Sequence, residues 1–392
     1  MRRNGKSGSS NAQRIDVIVP AYRAHETLER TLGSLAMQSI AGDLDVTVID
    51  DACPEGDYHD LVVPFGSRLN IRLIRLPRNL GPGGARQAGI DAADDPYFTC
   101  LDSDDELSGP LSLELLRDVM EEDKSIQRCG GGIMLLDSSG ELIRQSSGGV
   151  SMDGKLFRRS FIERYGIRFN GTRANEDYGY NLAVDMLCDS DAEQTCRLSE
   201  AVVNVYRNPK SITAAGEGQF RWDQRICGFI DNTIWAVDLA EKYRPDSDAV
   251  SVEILRVLLI TYCYWCIIAE CAPEYAAQAW EYAKKYYHLC YRRHYCPAYE
   301  SMENRLTPET TPLIFETFSK RGYFALPEGC EPALGFDEFL KRMRTEEYDP
   351  DHIYDVWAEM ARSPGMRSRM KMNEETGVCE RGYAGRKENS DV

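Results

Sequence analysis

A short apolar run that changes abruptly into carboxylates constrains this chain more than any other feature. Residues 97–101, YFTCL, have the composition of a buried strand, and the sequence DSDDE follows directly at 102–106. Such a run is typical of a strand in an α/β sheet, and ligands of these sheets bind just beyond the carboxyl ends of the strands. Neighbouring aspartates repel one another unless a positive charge arrives. We therefore expect a divalent cation that holds a diphosphate here, with a solvated acidic loop as the alternative.

The N-terminal half of the chain alternates strand-type runs with helical patterns. The strand-type runs occupy residues 15–20, 45–49, 71–76 and 97–101, and the helical patterns occupy residues 24–39, 59–65 and 85–93. This alternation predicts a mainly parallel, Rossmann-like sheet flanked by helices and joined by right-handed crossovers. Three of the strands end at Pro20-Ala21-Tyr22, at Asp50-Asp51 and at the aspartate cluster. We expect these three ends to line one edge of the sheet.

A glycine-rich segment opens the third helical pattern. Gly81, Gly83 and Gly84 fit neither the G-x-G-x-x-G fingerprint of dinucleotide sites nor the G-x-x-x-x-G-K-[ST] phosphate loop. A tight loop that caps a helix is one interpretation. The other is that Arg86, one turn into the helix, faces a ligand.

The pattern changes after a helical pattern at 111–122, and from residue 219 onward it becomes helical. The intermediate region contains helical patterns at 111–122, 157–165 and 179–187, and strand-type runs at 128–136, 141–145, 167–169 and 201–206. The later helical patterns lie at 220–243, 250–270 and 275–293. We predict a flexible tail at 1–14, an α/β catalytic domain at 15–218, an α-helical C-terminal domain at 219–362 and a disordered polar tail at 363–392.

Composition limits the classes of function. The chain has 392 residues, 43% hydrophobic and 28% charged, which is typical of a soluble globular protein with room for two domains. The formal charge of −17 argues against a protein built mainly to bind nucleic acid, although it leaves a local basic groove open. Thirteen cysteines without a disulfide spacing indicate reduced thiols in the cytoplasm, and five scattered histidines argue against a zinc site.

The longest apolar run, 257–269, is too short to span a membrane, so we expect a core helix and leave contact with the inner membrane face open.

Five segments, taken in order, resemble the family 2 glycosyltransferases of the GT-A fold. They are DVIVPAY at 16–22, VIDDACP at 48–54, the glycine-rich segment at 81–90, LDSDD at 101–105, and GKLFRR at 154–159 running on to EDY at 176–178. Each segment is weak alone, and the specificity of the resemblance lies in their order over residues 15–213. The resemblance implies an inverting transferase that uses a nucleotide-diphosphate sugar, usually a UDP-sugar. It does not extend to the helical C-terminal part.

The resemblance also implies roles for individual residues. Asp177 matches the catalytic base, and Glu176 matches its neighbour in the acceptor pocket. Asp104, with Asp102, matches the D-x-D positions at a Mn²⁺ or Mg²⁺ ion that bridges the diphosphate, and Asp51 matches the acid that reads the nucleotide base. Pro20, Ala21 and Tyr22 match the turn that holds the nucleoside, and a later family segment that closes over the diphosphate is matched by Tyr206, Arg207 and Ser211. From their places in the sequence we also expect Arg86 and Ser103 to bind the donor. Two positions depart from the family pattern, since Arg23 and Gln87 stand where asparagine is common.

The chemistry of glycosyl transfer explains why these residue types are needed. A cation stabilises the growing charge of the diphosphate leaving group. A general base must take the proton of the acceptor hydroxyl, which is typically worth about 10²–10⁴-fold in rate. Helix capping is the alternative role for Glu176 and Asp177, because acids are common at helix starts.

Three functions therefore remain open from the sequence. The first is a glycosyltransferase that builds a cell-surface polysaccharide or a teichoic-acid-type glycan. The second is glycosylation of DNA bases or protein side chains on the same fold, and the third is a catalytically silent sugar-binding module. The aromatic-rich helices after residue 250 are expected to complete an acceptor site or a homo-oligomer interface.

Overall fold

The computed structural model describes most of the chain in two compact units. The described residues are 13–146, 149, 151–172, 174–188, 190, 192–207, 222–245, 247–271, 273–295, 299, 300, 303, 334–350 and 352. The first unit comprises Met1–Arg221 with Trp235–Val250, and the second comprises Trp222–Ile234 with Ser251–Val392. The predicted tail at 363–392, and the tail at 1–14 except for residues 13 and 14, lie outside the described residues.

A nine-stranded mixed sheet forms the centre of the first unit. Its strands are β1 (Ile15–Ala21), β2 (Leu44–Asp50), β3 (Asn70–Arg75), β4 (Tyr97–Cys100), β5 (Glu106–Leu107), β6 (Ile126–Leu136), β7 (Leu142–Ser146), β8 (Lys155–Arg158) and β9 (Gln194–Tyr206). The strand order is β3-β2-β1-β4-β8-β6-β9-β5, and β7 pairs with β6. The first four strands in this order are parallel, whereas β8 runs antiparallel to both β4 and β6. The expected α/β architecture is therefore confirmed.

The carboxyl ends of β1, β2 and β4 meet at one edge of the sheet, as the sequence predicts. The main-chain N–H of Asp51 donates to the carbonyl of Ala21 at 3.0 Å, and that of Leu101 donates to the carbonyl of Ile18 at 3.0 Å. β4 is buried along its whole length, which explains its continuous apolar sequence. Polar residues that follow these strands are thus brought close together.

Helices cover both faces of the sheet in the first unit. They are α1 (Leu28–Ala36), α2 (His59–Val62), α3 (Gly81–Asp91), α4 (Ser112–Glu122), α5 (Arg159–Tyr165) and α6 (Glu176–Leu187). Helix α3 packs on β1 at close range, because a Cβ atom at Gly89 would lie only 2.4 Å from Cγ2 of Ile18. Only glycine permits this approach, which sets the position of α3 above the strand ends.

Between residues 157 and 187, three local predictions differ from the structure. Residues 157 and 158 belong to β8, so the short helix begins at Arg159 rather than at 157. Residues 167–169 have no regular secondary structure, although a strand is predicted there. Helix α6 begins at Glu176 rather than at 179, because the polar first turn hides the helical period.

The second unit is helical in its described part. Apart from Trp235–Val250, which belongs to the first unit, it contains the described residues of α7 (Trp222–Tyr243), α8 (Asp248–Cys271), α9 (Ala276–Tyr286) and α10 (Phe336–Thr345). Its core is aromatic: the rings of Trp265 and Trp280 lie 4.8 Å apart, those of Trp280 and Phe339 5.6 Å apart, and those of Tyr262 and Phe336 5.1 Å apart.

One helix of the described chain is long and apolar enough to cross a membrane by length and composition alone. It is α8, in which the apolar segment is Val250–Glu270. Of the apolar stretch of 18 residues in this segment, 61% is buried within the protein. The helix is longer than the apolar run at 257–269 from which a core helix was expected. Burial of this extent is also found for core helices of soluble proteins.

Candidate functional site

A cluster of three carboxylates lies where the aspartate-rich turn follows β4. Oxygen atoms of Asp102, Asp105 and Asp153 all lie within 4.8 Å of one another in the described part of the chain. Asp102 and Asp105 come from the turn after β4, and Asp153 comes from the turn before β8, the antiparallel neighbour of β4. The sheet topology therefore adds a third acid to the two from one segment.

Hydrogen bonds fix this carboxylate cluster. Asp153 accepts the main-chain N–H of Asp102 at 2.8 Å through Oδ1 and the hydroxyl of Ser151 at 2.8 Å through Oδ2. Asp105 accepts the main-chain N–H of Tyr206 at 3.2 Å. Burial and the charge of Asp102 raise the pKa of Asp153 to about 7, and burial with the neighbouring aspartates raises the pKa of Asp105 well above its ordinary value. The cluster is thus an anionic site that a cation would stabilise.

Arg86 joins the carboxylate cluster to the start of α6. Its guanidinium donates to Oδ1 of Asp102 at 2.6 Å and to Oε1 of Glu176 at 2.9 Å. The arginine side chain is only 5% exposed, and that of Glu176 only 8%. One buried guanidinium therefore holds two of the predicted site segments, the turn after β4 and the start of α6.

The predicted base lies in the first turn of α6, directly after Glu176. Asn175 precedes the helix with φ 58°, a left-handed conformation that asparagine tolerates better than most residues. Oδ1 of Asp177 accepts the main-chain N–H of Tyr178 at 2.7 Å. Burial raises the pKa of Asp177, while the Arg86 cation and this N–H oppose the rise. Burial and the Asp177 charge raise the pKa of Glu176 to about 7, opposed by Arg86.

A buried lysine shapes the loop that carries Asp153. Nζ of Lys155 donates to the carbonyl of Gly149 at 2.8 Å and to the carbonyl of Ser151. Burial, together with the charge of Arg128, lowers the pKa of Lys155 to about 7. Lys155 therefore stabilises the turn from which Ser151 and Asp153 reach the carboxylate cluster.

The predicted nucleoside-binding residues lie at the ends of β1 and β2. Ala21 is buried, Pro20 is half-buried, and Tyr22 is exposed with the guanidinium of Arg23 5.5 Å from its ring centre. The carboxylate of Asp51 accepts the main-chain N–H of Leu80 at 2.7 Å and that of Gly81 at 2.9 Å. Asp51 therefore stabilises the start of α3 in this structure.

The structure places the remaining predicted residues at different distances from the cluster. Asp104 and Ser103 are half-buried in the same turn, and the carboxylate of Asp104 is not part of the three-acid cluster. Tyr206 contacts the cluster through its N–H and donates its hydroxyl to Glu106 at 2.7 Å, whereas Arg207 is exposed beyond the end of β9. Ser211 lies outside the described residues.

Sequence reasoning missed Asp153, Asp105 and Lys155 as members of this site. A usable signal is the apolar pair Leu156-Phe157 of β8. A strand predicted there would have drawn attention to the turn before it, which carries Asp153. The pairing of β8 with β4, which brings Asp153 to Asp102, has no local signature in the sequence.

Comparison with known proteins shows what this chain is similar to. The profile of the family described as Glycosyl transferase family 2 matches residues 16–170. An N-acetylglucosaminyltransferase from Bradyrhizobium sp. is 34% identical over 106 residues, which are 26% of this chain and 67% of that protein. The succinoglycan biosynthesis protein ExoO from Rhizobium meliloti is 28% identical over 189 residues, which are 42% of this chain and 53% of that protein. The chain thus spans about half the length of this relative.

A solved structure matches over a larger part of the chain. The structure of Staphylococcus aureus TarS 1-349 in complex with UDP-GlcNAc has a TM-score of 0.55 and 16% sequence identity, and the match covers 82% of this chain and 99% of that one. At this level of identity the match establishes a shared fold, which is the GT-A-like sheet with a helical region after it.

Proposed function

This chain belongs to the family 2 glycosyltransferases, and on that basis we propose that it transfers a sugar from a nucleotide-diphosphate donor, a UDP-sugar, to an acceptor hydroxyl with inversion. The observation that carries this proposal is a link between two parts of the site. One part is the D-x-D turn after β4, on the expected donor side, and the other is the start of α6 with the predicted base Asp177, called the base segment below. Asp102 of the D-x-D turn and Glu176 beside Asp177 bind the same buried guanidinium of Arg86. A transferase needs both groups at one place, because donor and acceptor must meet in line.

The acids of the β4 turn fit a hard divalent cation. Carboxylate oxygens of Asp102, Asp105 and Asp153 within 4.8 Å of one another are the ligand type that Mg²⁺ and Mn²⁺ prefer. Both oxygens of Asp153 already accept hydrogen bonds. Asp153 is therefore assigned a supporting role, together with the buried Asp105. The direct contacts are proposed for the half-buried Asp102 and Asp104, and for Asp104 this rests on the D-x-D resemblance. Such a cation would supply Lewis-acid stabilisation of the diphosphate charge.

The residues at the three strand ends would bind the rest of the donor. Pro20, Ala21, Tyr22 and Asp51 lie at the ends of β1 and β2, where an open α/β sheet places its ligand. Ser103 lies in the β4 turn, and Tyr206 contacts the same turn through Asp105. Arg207, the residue after Tyr206, is proposed to bind the donor with it. For Ser211 the same role is proposed from the resemblance alone.

Asp177 would take the proton of the acceptor hydroxyl. It lies in the first turn of a 12-residue helix, whose dipole favours an ionised carboxylate. Its pKa is raised by burial, which makes the carboxylate a stronger proton acceptor once it is ionised. Attack by the hydroxyl on the anomeric carbon then expels the nucleoside diphosphate in one displacement, so that the configuration inverts without a protein nucleophile.

The acceptor class is proposed from the relatives. ExoO is a succinoglycan biosynthesis protein, and TarS is a poly(ribitol-phosphate) β-N-acetylglucosaminyltransferase. We propose a hydroxyl of a cell-surface polysaccharide or of a teichoic-acid-type glycan as the acceptor of this chain. The free thiols of its described cysteines suit a reducing, cytoplasmic compartment.

A donor-hydrolysis screen tests the proposal without knowledge of the acceptor. The full chain is incubated with Mn²⁺ and each of a set of nucleotide sugars, and the release of nucleoside diphosphate is measured. We expect UDP release from at least one UDP-sugar and its loss in EDTA. No release from any nucleotide sugar, together with no binding of UDP, would contradict the proposal.

A further inference from the structure

We infer that Arg86 is a positioning residue that fixes the base segment against the donor-side aspartate, and that it is not a ligand of the donor diphosphate. This inference rests on the proposed function, because it assigns a role within that reaction. It also replaces the donor-binding role that we expected for Arg86 from the sequence.

Both terminal nitrogens of Arg86 donate to carboxylates of the protein. One terminal nitrogen donates to Asp102 at 2.6 Å and the other to Glu176 at 2.9 Å. Among the described residues, Nε has no hydrogen-bond partner, and it is buried away from solvent. A side chain that is 5% exposed and already bound to two carboxylates offers little to a diphosphate that arrives from solvent.

Helix α3 holds the base segment at further points along one side. A Cβ atom at Gly83 would lie 2.8 Å from Cγ of Glu176 and 3.3 Å from the ring of Phe169, so the two segments pack in direct contact there. The side chain of Gln87 accepts the main-chain N–H of Phe169 at 3.0 Å. The register of Asp177 relative to α3 is therefore set by packing as well as by charge.

The donor side is attached to the same helix. Asp51 accepts the main-chain N–H groups of Leu80 and Gly81 at the start of α3, and Arg86 reaches Asp102 from one turn further along. α3 thus connects the ends of β1 and β2, where the nucleoside is proposed to bind, with the base segment. Arg86 is the charged part of that connection.

The fork shape of the guanidinium is essential to this role. Arginine presents donors in a rigid plane and can bind two carboxylates at fixed angles, whereas lysine is a single point charge on a flexible chain. Arg86→Lys keeps the positive charge beside Asp102 but cannot bind Glu176 at the same time, so the start of α6 loses its fixed position. A displacement of about 1 Å at a catalytic group can lower a rate by about 10²-fold.

The test compares Arg86→Lys with the wild-type chain and with Arg144→Lys, a matched change at an exposed position on β7. UDP affinity with Mn²⁺ is measured by calorimetry, and kcat and KM by transfer or donor hydrolysis. We expect Arg86→Lys to lower kcat by about 10²-fold while the Kd for UDP changes by less than about threefold. Arg144→Lys should match the wild type in both measurements.

Other results would overturn the inference. A weakening of UDP binding by tenfold or more with kcat retained would make Arg86 a donor ligand. Wild-type values of both kcat and UDP affinity would show that Arg86 has no role in the reaction. Glu176→Gln supplies a second measurement if Arg86→Lys does not fold: its kcat must fall with UDP affinity retained, and a wild-type kcat would contradict the inference. A wild-type chain that neither binds UDP nor cleaves a nucleotide sugar would instead contradict the proposed function itself.

Discussion

The carboxylate of Asp153 accepts the main-chain N–H of Asp102 at 2.8 Å, and this bond ties the turn before β8 to the turn after β4. The two turns lie 51 residues apart in the sequence, and they meet because β8 pairs antiparallel with β4. The acid cluster is therefore a property of the sheet rather than of the D-x-D motif alone. This distinction separates residues that would touch the cation from residues that would support it.

Asp104→Ala should abolish metal-dependent binding of UDP, because it removes a proposed cation ligand from a half-buried turn. Asp153→Asn keeps the size of the side chain but removes its charge, so we expect metal affinity to fall by about 10–100-fold, the usual effect of losing a supporting group. Calorimetric titration of UDP with Mn²⁺ into each variant measures both effects. Both variants should retain the wild-type fold by circular dichroism.

The opposite ranking would contradict this assignment of the acids. If Asp104→Ala keeps wild-type metal binding while Asp153→Asn loses it completely, the cation is held by Asp102, Asp105 and Asp153 instead. Full turnover of the wild-type chain in EDTA would remove the cation from the account altogether.

Gly83→Ala should lower the rate of transfer and the thermal stability together. Its new Cβ atom would lie 2.8 Å from Cγ of Glu176, closer than such contacts allow, so the start of α6 must shift. Overpacking of this kind typically costs about 1–3 kcal/mol. Gly33→Ala in α1 is the matched control, because a Cβ atom there meets nothing within 4 Å. A Gly83→Ala variant with wild-type kcat and melting temperature would show that the α3–α6 contact does not position the base.

Asp95→Asn should stabilise the protein at neutral and higher pH. Burial, together with a hydrogen bond to the carboxyl of Asp45 and the charge of Asp16, raises the pKa of Asp95 to about 7. Because the folded protein then binds a proton that the unfolded chain has lost, stability falls as pH rises from about 4 to about 7. Asparagine resembles the protonated acid and cannot lose a proton. Melting temperatures at about pH 5 and about pH 8 should therefore differ less for Asp95→Asn than for the wild type.

The exposed neighbour Asp94 provides the control for this experiment. Asp94→Asn should keep the pH dependence of the wild type. If Asp95→Asn leaves the difference in melting temperature between the two pH values unchanged, the raised pKa of Asp95 does not contribute to stability.

Local sequence patterns were sufficient to predict the first half of the fold. The strand at 97–100 can be predicted because a fully buried strand is continuously apolar in sequence. The aspartates directly after it mark the turn in which the strand ends. The same holds for the meeting of the β1, β2 and β4 ends, which follows from parallel topology. Arg86 was singled out by its place in the third helix, but its two carboxylate partners depend on tertiary packing.

The supporting part of the site was beyond local patterns. Asp153 joins the cluster through an antiparallel pairing that no short segment encodes. Lys155 stands in the GKLFRR segment at 154–159, but its burial depends on tertiary packing. Helix α6 was placed three residues late, since its first turn carries Glu176 and Asp177 where apolar periodicity is absent. Charged residues at functional sites thus hide the patterns from which secondary structure is predicted.

The most direct test of the account is Asp177→Asn, measured for UDP binding and for sugar transfer on the same preparation. Asparagine preserves size but cannot accept the hydroxyl proton, so transfer should fall by about 10²–10⁴-fold. UDP affinity with Mn²⁺ should stay near the wild-type value, because the proposed donor site is built from Asp51, Asp102 and Asp104 on other elements. Transfer within a few-fold of the wild-type rate, or loss of UDP binding together with transfer, would contradict the role of Asp177 as the base.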